Sequence, residues 1–119
     1  MKIKVIMSDK AMSRETMDAR ERMLKAALSS DAEVSVDCIK KGPDELDCNT
    51  DEAFAAAEMV KESIRAEKEG YDAIVIYCFS DVGIHAIREN VRIPVIGPGE
   101  TSLAAASMIC TRFTVLTSE

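Results

Sequence analysis

Apolar and polar residues follow two different spacings along this 119-residue chain. In some stretches the apolar residues alternate with polar ones or run without interruption, which predicts β-strands; in others they recur every three or four residues, which predicts helices. The strands predicted in this way cover residues 2–7, 33–39, 73–77, 93–97 and 112–117. The helices predicted between them cover residues 13–29, about 49–70, 81–89 and 100–109.

Side chains near the predicted helix ends are of the types that stabilise such ends. Ser13 is a residue type that caps helix N-termini, and Asn49 followed by Glu52 resembles a capping box. Gly70 stands where a C-terminal glycine cap is expected. The predicted buried face of the second helix consists of Ala53, Ala57, Val60 and Ile64.

The alternation of strands and helices favours an α/β fold with a parallel sheet and right-handed crossovers. The segment "AIVIY", residues 73–77, is apolar on both faces, as expected for a central strand covered by helices on both sides. In "EVSVDCI", residues 33–39, the side chains of Val34, Val36 and Cys38 share one side, which predicts a half-exposed strand. We therefore expect an open, flavodoxin-like, three-layer domain with the strand order 2-1-3-4.

In open parallel sheets, ligands bind at the carboxyl ends of the strands where the winding direction reverses. For the order 2-1-3-4 this switch point lies between strands 1 and 3. The residues that end or follow these strands are Met7, Ser8 and Asp9 on one side and Cys78, Phe79 and Ser80 on the other. Cys78 is therefore predicted to stand where this architecture carries its chemistry.

The composition is that of a single globular domain, because 47% of the residues are hydrophobic. A formal net charge of −6 argues against nucleic-acid binding, which needs clustered Lys and Arg. The sequence shows neither a signal peptide nor a stretch able to span a membrane, so we expect a cytoplasmic protein. The four cysteines form no C-x-x-C pair and are predicted to be free thiols, and a single histidine, His85, disfavours a zinc site.

Two interpretations of Cys78 follow from its position. A thiol acts as a base or nucleophile only as the thiolate, and amides at a helix N-terminus stabilise that form. Ser80 or Asp81 is the expected cap of the next helix, although the negative charge of Asp81 opposes a thiolate. In the other interpretation, Cys78 is a small apolar residue that ends a core strand. The residues alone leave both interpretations open.

The segment "GYDAIVIYCFSDVGIHAIRENVRIPVIGPGE", residues 70–100, resembles the Asp/Glu/hydantoin racemase superfamily, and most closely its hydantoin racemase branch. Members have a glycine-tyrosine-aspartate-alanine stretch, a hydrophobic strand ending in cysteine-phenylalanine, an arginine-glutamate pair, and an isoleucine-proline-valine strand before a glycine-rich turn and glutamate. The matching positions here include Gly70, Cys78, Phe79, Asp81, Gly83, Arg88, Glu89, Pro94, Gly97, Gly99 and Glu100. "GPDELDCNTDEA", residues 42–53, and "RFTVLT", residues 112–117, resemble further family segments.

The resemblance implies cofactor-independent racemisation or epimerisation at a carbon next to a carbonyl or carboxylate, with hydantoin, aspartate or glutamate as the type of substrate. One cysteine thiolate removes the proton and a second cysteine thiol donates one to the other face. Cys78 is the expected base. The residues expected to contact a small-molecule substrate are Ser8, Asp9, Phe79, Ser80, Asp81, Glu100 and Thr117.

The sequence also departs from the family pattern. "MSDKA", residues 7–11, replaces the usual asparagine-proline-asparagine segment, and Val82 replaces a proline. Residues 1–99 are expected to form the N-terminal α/β half, and residues 100–119 the crossover helix and first strand of a second half. The second catalytic cysteine belongs to that second half, so we expect a homo-oligomer or a partner that supplies it. Alternatives are a non-catalytic small-ligand-binding domain and a one-cysteine decarboxylase or isomerase.

Overall fold

The structure, a computed structural model, describes residues 1–28 and 31–116. Strands and helices alternate along the chain. The strands are β1 (Lys2–Met7), β2 (Glu33–Cys38), β3 (Ala73–Ile76) and β4 (Val95–Ile96). The helices are α1 (Arg14–Ala27), α2 (Asn49–Lys68), α3 (Ile84–Asn90) and α4 (Pro98–Ile109).

Within the described residues the strands form one four-stranded sheet in the order β2-β1-β3-β4, and all neighbouring pairs are parallel. Val5 of β1 pairs with Val36 of β2 on one side and with Val75 of β3 on the other, and Ile74 pairs with Val95 of β4. The predicted α/β class, parallel sheet and strand order are confirmed.

Apolar side chains cover both faces of the sheet. On one face, Ile6 and Ile76 pack with Met59 of α2 and Ile87 of α3. On the other face, Val5 and Val36 pack with Met17 and Leu24 of α1. The alternation of β1, which sends Ile3, Val5 and Met7 to the α1 side and Ile6 to the α2 side, thus supplies both cores. The result is the expected helix–sheet–helix layering.

Two of the predicted helix-end signals act as expected. Ser13 is the N-cap of α1, and its hydroxyl oxygen accepts a hydrogen bond from the Thr16 amide at 3.2 Å. Gly70 follows the end of α2 with φ +82°, a left-handed conformation that glycine adopts without strain. Its amide donates to the Glu67 carbonyl at 3.0 Å and so closes the helix end. The predicted end of α1 at residue 29 lies outside the described residues.

The predicted start and buried face of α2 are wrong in detail. Asn49 is the first helical residue and Cys48 the N-cap, so Asn49 does not cap the helix. The Asp51 carboxylate instead accepts hydrogen bonds from the Asp47 amide and the Cys48 thiol. Of the predicted buried face, Val60 and Ile64 pack half-buried against the core, whereas Ala53 and Ala57 are exposed. The buried residues of α2 are Ala55, Met59, Glu62, Ser63 and Ala66.

Other boundaries also differ from those predicted. The third helix begins at Ile84 instead of residue 81, and its N-cap is Gly83 in the left-handed region rather than Ser80 or Asp81. Residues 112–116 form no strand, since no described neighbouring strand pairs with them. The remainder of that predicted strand, Thr117, lies outside the described residues. The division into residues 1–99 and 100–119 stays a prediction.

Helix α4 extends away from both cores. Among its residues only Gly99 is buried, whereas Leu103, Met108 and Ile109 are exposed. In the described part of the chain, no helix has the length and apolar character needed to cross a membrane.

Candidate active site

The carboxyl ends of β1 and β3 lie side by side at the centre of the sheet. The Tyr77 amide donates to the Ile6 carbonyl at 2.9 Å, which continues the pairing of the two strands to their last residues. Ser8, directly after β1, is buried, and Cys78 follows β3 in a half-buried position. The switch point predicted from the sequence therefore holds Ser8 and Cys78 at the same edge of the sheet.

A turn after β3 fixes the surroundings of Cys78. The Cys78 carbonyl accepts a hydrogen bond from the Asp81 amide at 3.1 Å. The Cys78 sulfur lies 3.2 Å from the hydroxyl oxygen of Ser80, and either atom can be the donor. Cys78 also packs at the margin of the core on the α2 side of the sheet. The thiol thus has a polar neighbour and an apolar one.

An open apolar cavity of about 460 Å³ lies beside this turn. Its lining residues are Leu24, Val75, Ile76, Tyr77, Cys78, Phe79 and Pro98. Phe79 is 49% exposed, so its ring forms part of the cavity rim instead of the core. A cavity with this lining suits an apolar substituent on a small ligand.

Tyr77 is held in place by Arg20 of α1, a contact that the sequence did not indicate. The Arg20 guanidinium lies over the tyrosine ring, 4.8 Å from its centroid. It also donates a hydrogen bond to the Tyr77 hydroxyl at 2.8 Å, while its Nε donates to the Met12 sulfur at 3.2 Å. The wall of the cavity next to Cys78 is therefore braced by a helix from a distant part of the sequence.

A second concave region of about 500 Å³ is lined by Ser80, Asp81, Gly83, Ile84, His85, Ala86 and Glu100. Three of the predicted substrate contacts, Ser80, Asp81 and Glu100, border this region, whereas Cys78 and Phe79 border the apolar cavity. His85 is exposed.

The carboxylates of Asp81 and Glu100 already have partners. Asp81 accepts hydrogen bonds from the backbone amides of Gly99 and Glu100 at 2.8 and 2.6 Å. Glu100 forms a two-pronged ion pair with Arg88, which lowers the pKa of that carboxyl. Arg88 also donates to the Val95 carbonyl at 2.7 Å and so ties α3 to β4. Direct contact of either carboxylate with a substrate stays a prediction.

Asp9 lies beyond β1, and its charge acts on a different thiol. Burial raises the pKa of Cys38, and the negative charges of Asp9 and Asp37 raise it further. Cys38 ends β2 opposite Met7, and its sulfur contacts the Met17 sulfur at 3.5 Å on the α1 side of the sheet. Asp9 thus lies near Cys38 at the carboxyl edge of the sheet.

The other thiols are engaged away from Cys78. The Cys48 thiol donates to the Asp51 carboxylate at 3.2 Å, and this bond lowers the pKa of Asp51. The Cys110 thiol donates to the Ala106 carbonyl at 3.1 Å in the last turn of α4. All four thiols are free of disulfides. Across residues 1–28 and 31–116, no cluster of three or more His, Cys, Asp and Glu side chains could bind a metal ion.

The chain is similar to proteins named as racemases. It is 37% identical over 117 residues to a hydantoin racemase from Pseudomonas sp. (strain NS671), a match that covers 98% of this chain and 46% of that protein. It is 40% identical over 76 residues to a hydantoin racemase from Rhizobium meliloti, over 64% of this chain and 32% of that protein.

Its structure superimposes on that of the allantoin racemase from Klebsiella pneumoniae with a TM-score of 0.82 and 31% identity, over 94% of this chain and 45% of that one. The chain thus spans less than half the length of each of these relatives. The family model described as "Asp/Glu/Hydantoin racemase" matches residues 11–119. The chain therefore belongs to the Asp/Glu/hydantoin racemase family.

Proposed function

We propose that this chain carries one of the two proton-transfer groups of a cofactor-independent racemase or epimerase, with Cys78 as that group. The observation that carries the proposal is the position of Cys78: it is half-buried at the β1/β3 switch point, beside an open apolar cavity. The similarity to proteins named hydantoin racemases favours a hydantoin or related cyclic amide over aspartate or glutamate.

The reaction needs a base and an acid on opposite faces of one carbon. The Cys78 thiolate takes the proton from the stereocentre, and the electrons of the broken C–H bond form an enolate with the neighbouring carbonyl. An acid on the opposite face then delivers a proton to the carbon, and the carbonyl re-forms. The bonds broken and formed balance without a change of oxidation state, so the step is general acid–base catalysis.

Two backbone amides are available for the developing negative charge of the enolate. In the described part of the chain, neither the Phe79 nor the Ser80 N–H donates a hydrogen bond to another residue. Both follow Cys78 directly, and buried Ser8 lies at the end of the adjacent strand. Amides that point toward a developing oxyanion lower the barrier strongly. We assign these amides and the Ser8 hydroxyl to the substrate carbonyl.

The apolar cavity supports one orientation of the substrate. Its wall of Leu24, Val75 and Tyr77 excludes a charged group and accepts a hydrocarbon side chain. A hydantoin with an apolar substituent at the stereocentre thus places its ring over Cys78 and its substituent against Tyr77. Asp9, Asp81, Glu100 and Thr117 remain predicted polar contacts to the ring.

The acid on the opposite face comes from outside the described residues. The Cys38 thiol contacts the Met17 sulfur, and the Cys48 and Cys110 thiols bond to Asp51 and Ala106. We assign the missing acid to a companion half or to a second copy of this chain, whose own Cys78 would take that role. Four free thiols fit a reducing compartment, which supports the expected cytoplasmic location.

Alkylation of the individual thiols tests the proposal. The protein is treated with iodoacetamide at pH 7, and the modification of each cysteine is followed by peptide mass spectrometry. A catalytic thiolate at Cys78 should react at least about tenfold faster than the exposed thiols of Cys48 and Cys110. A 5-benzylhydantoin should slow the reaction at Cys78 alone. Cys78 reacting no faster than Cys48, with no protection, would contradict the proposal and favour a non-catalytic binding domain.

A further inference from the structure

Asp81 connects the turn that carries Cys78 to the N-terminus of α4. Its Oδ1 accepts the Gly99 amide at 2.8 Å and its Oδ2 accepts the Glu100 amide at 2.6 Å. The N-cap of α4 is Gly97, which has no side chain to satisfy these amides. A carboxylate from another part of the sequence therefore caps the helix and meets the positive end of its dipole.

The backbone of Asp81 is held as tightly as its side chain. Its amide donates to the Cys78 carbonyl at 3.1 Å, and its carbonyl accepts the amide of Ile84, the first residue of α3, at 3.0 Å. Asp81 has φ +53°, in the left-handed region that non-glycine residues rarely adopt. Such a conformation persists where the surroundings over-determine it. One residue thus joins Cys78, α3 and α4.

The glycines of α4 make this contact possible. A Cβ at Gly99 would overlap the Phe79 carbonyl oxygen and would lie 2.8 Å from Asp81 Oδ2. A Cβ at Gly97 would overlap the Asp81 carboxylate and lie 2.7 Å from Ile84 Cδ1. The two glycines at the start of α4, the N-cap Gly97 and the helical Gly99, therefore leave room for Asp81 and the Phe79 carbonyl.

The α4 end of the contact is itself fixed. Arg88 of α3 pairs with Glu100 and donates to the Val95 carbonyl of β4. The first turn of α4 is consequently tied to α3 and β4 by side chains that do not touch Cys78. Asp81 therefore bonds to a helix end that other contacts already hold in place.

We infer that Asp81 is a positioning residue for Cys78: by binding the Gly99 and Glu100 amides it holds the turn of residues 78–81 in the geometry that proton transfer requires. This inference rests on the proposed function. It also accounts for a carboxylate three residues after the proposed thiolate, because both oxygens of Asp81 bond to backbone amides and its charge meets the helix end.

Three uncharged variants of Asp81 distinguish the effect of its hydrogen bonds to the Gly99 and Glu100 amides from the effects of its charge and of its strained backbone. Asp81→Asn keeps one acceptor oxygen and tolerates a left-handed φ; Asp81→Gly tolerates that φ but has no acceptor; Asp81→Ala has neither property. The inference predicts that the Asn variant keeps amide exchange at Gly99 and Glu100 and the reactivity of Cys78 close to those of the wild type. The Gly and Ala variants should both depart from the wild type in these two properties. A departure in the Ala variant alone would show that backbone strain is the cause and would overturn the inference.

Two measurements on the 119-residue protein provide the readout. Hydrogen exchange at the Gly99 and Glu100 amides should accelerate at least about tenfold in the Gly and Ala variants and much less in the Asn variant. Iodoacetamide modification of Cys78 should be about fivefold slower in the Gly variant than in the Asn variant, because the freed turn no longer holds the Ser80 hydroxyl against the thiolate. Half-buried Cys38 reports on global loosening, so its rate should be the same in both.

Equal Cys78 rates in the Asn and Gly variants would overturn the inference, and so would unchanged amide exchange at residues 99 and 100. Neither readout depends on turnover. If Cys78 proves not to transfer protons, the two comparisons still decide whether Asp81 fixes its position, so the failure of the proposed function can be told apart from the failure of this inference.

Discussion

The Cys78 sulfur lies 3.2 Å from the hydroxyl oxygen of Ser80, within the turn that follows the central strand β3. A hydroxyl in this position can donate a hydrogen bond to a thiolate, or accept one from a thiol, by rotating about one bond. The pair therefore suits both protonation states of a thiol that takes up and releases a proton.

Removal of the Ser80 hydroxyl should make the thiolate form of Cys78 less stable. We expect Ser80→Ala to slow the modification of Cys78 by iodoacetamide at pH 7 by about fivefold, since a hydrogen bond to a charged group in a partly exposed site stabilises it by about 1 kcal/mol. Ser107→Ala, which removes an exposed hydroxyl from α4, serves as the control and should leave the rate unchanged. A rate in Ser80→Ala equal to that of the wild type would show that the contact does not stabilise the thiolate.

The close approach of α4 to the Cys78 turn makes Gly99 sensitive to any side chain. Gly99→Ala should lower the free energy of unfolding by about 3 kcal/mol, because the new Cβ would overlap the Phe79 backbone carbonyl, which cannot move without the turn. Gly70→Ala is the matched control: its Cβ meets nothing within 4 Å, and only the positive φ is strained, at about 1 kcal/mol. Urea denaturation measures the free energy of unfolding of both variants. Equal decreases in the two variants would contradict the predicted clash at Gly99.

The Arg88–Glu100 ion pair should make the folding stability of the protein depend on pH. Because Arg88 lowers the pKa of Glu100 in the folded protein, the pair contributes stability above the ordinary glutamate pKa of about 4.3 and loses it as the pH falls through the lower folded value. The melting temperature of the wild type should exceed that of Glu100→Gln at pH 6, by a small margin since the pair is exposed, and this margin should shrink as the pH falls below about 4.3.

Glu89→Gln, on the exposed surface of α3, is the control for this experiment and should follow the wild type across the same pH range. Asp51, whose pKa is also lowered, is present in all three proteins and cancels in the comparison. A wild-type advantage over Glu100→Gln that stays constant from pH 6 to pH 3 would contradict the assigned role of the ion pair.

The exposed apolar residues of α4 predict association. Met108 and Ile109 are 80% and 85% exposed, and burial of such side chains in an interface is favourable. We expect sedimentation of the protein to depend on concentration and the double variant Met108→Lys with Ile109→Lys to shift it toward monomer. Phe54→Lys, at an exposed position on α2, is the control. A strictly monomeric wild-type chain would exclude the pairing of two copies through this helix.

Features encoded by local patterns were predicted correctly from the sequence. Alternation in β1 and β2 and the all-apolar β3 determined the parallel sheet, and its strand order followed from the general rules of α/β winding. Ser13 and Gly70 act at the helix ends where such residues act in general. Placing Cys78 at the switch point needed only the end of β3 and the strand order.

Features that depend on contacts between distant segments were not predicted. Asp81 looked like a cap for its own helix, but its carboxylate reaches amides 18 and 19 residues further along the chain. The support that Arg20 gives to Tyr77 spans 57 residues and leaves no local pattern. The strand expected after residue 111 had the right composition, but a strand also requires a neighbour, which composition does not reveal.

Isotope exchange tests the role of Cys78 most directly. One enantiomer of 5-benzylhydantoin is incubated with the protein in deuterium oxide; mass spectrometry follows deuterium at the stereocentre and chiral chromatography follows its configuration. The wild type and Cys48→Ala should incorporate deuterium faster than buffer, and Cys78→Ala should not. Configuration should be retained where one copy acts alone, because a single thiolate returns the deuteron to the face it deprotonated, and should be lost where a second copy supplies the acid. Incorporation at equal rates in the wild type and Cys78→Ala would contradict proton transfer by this thiol.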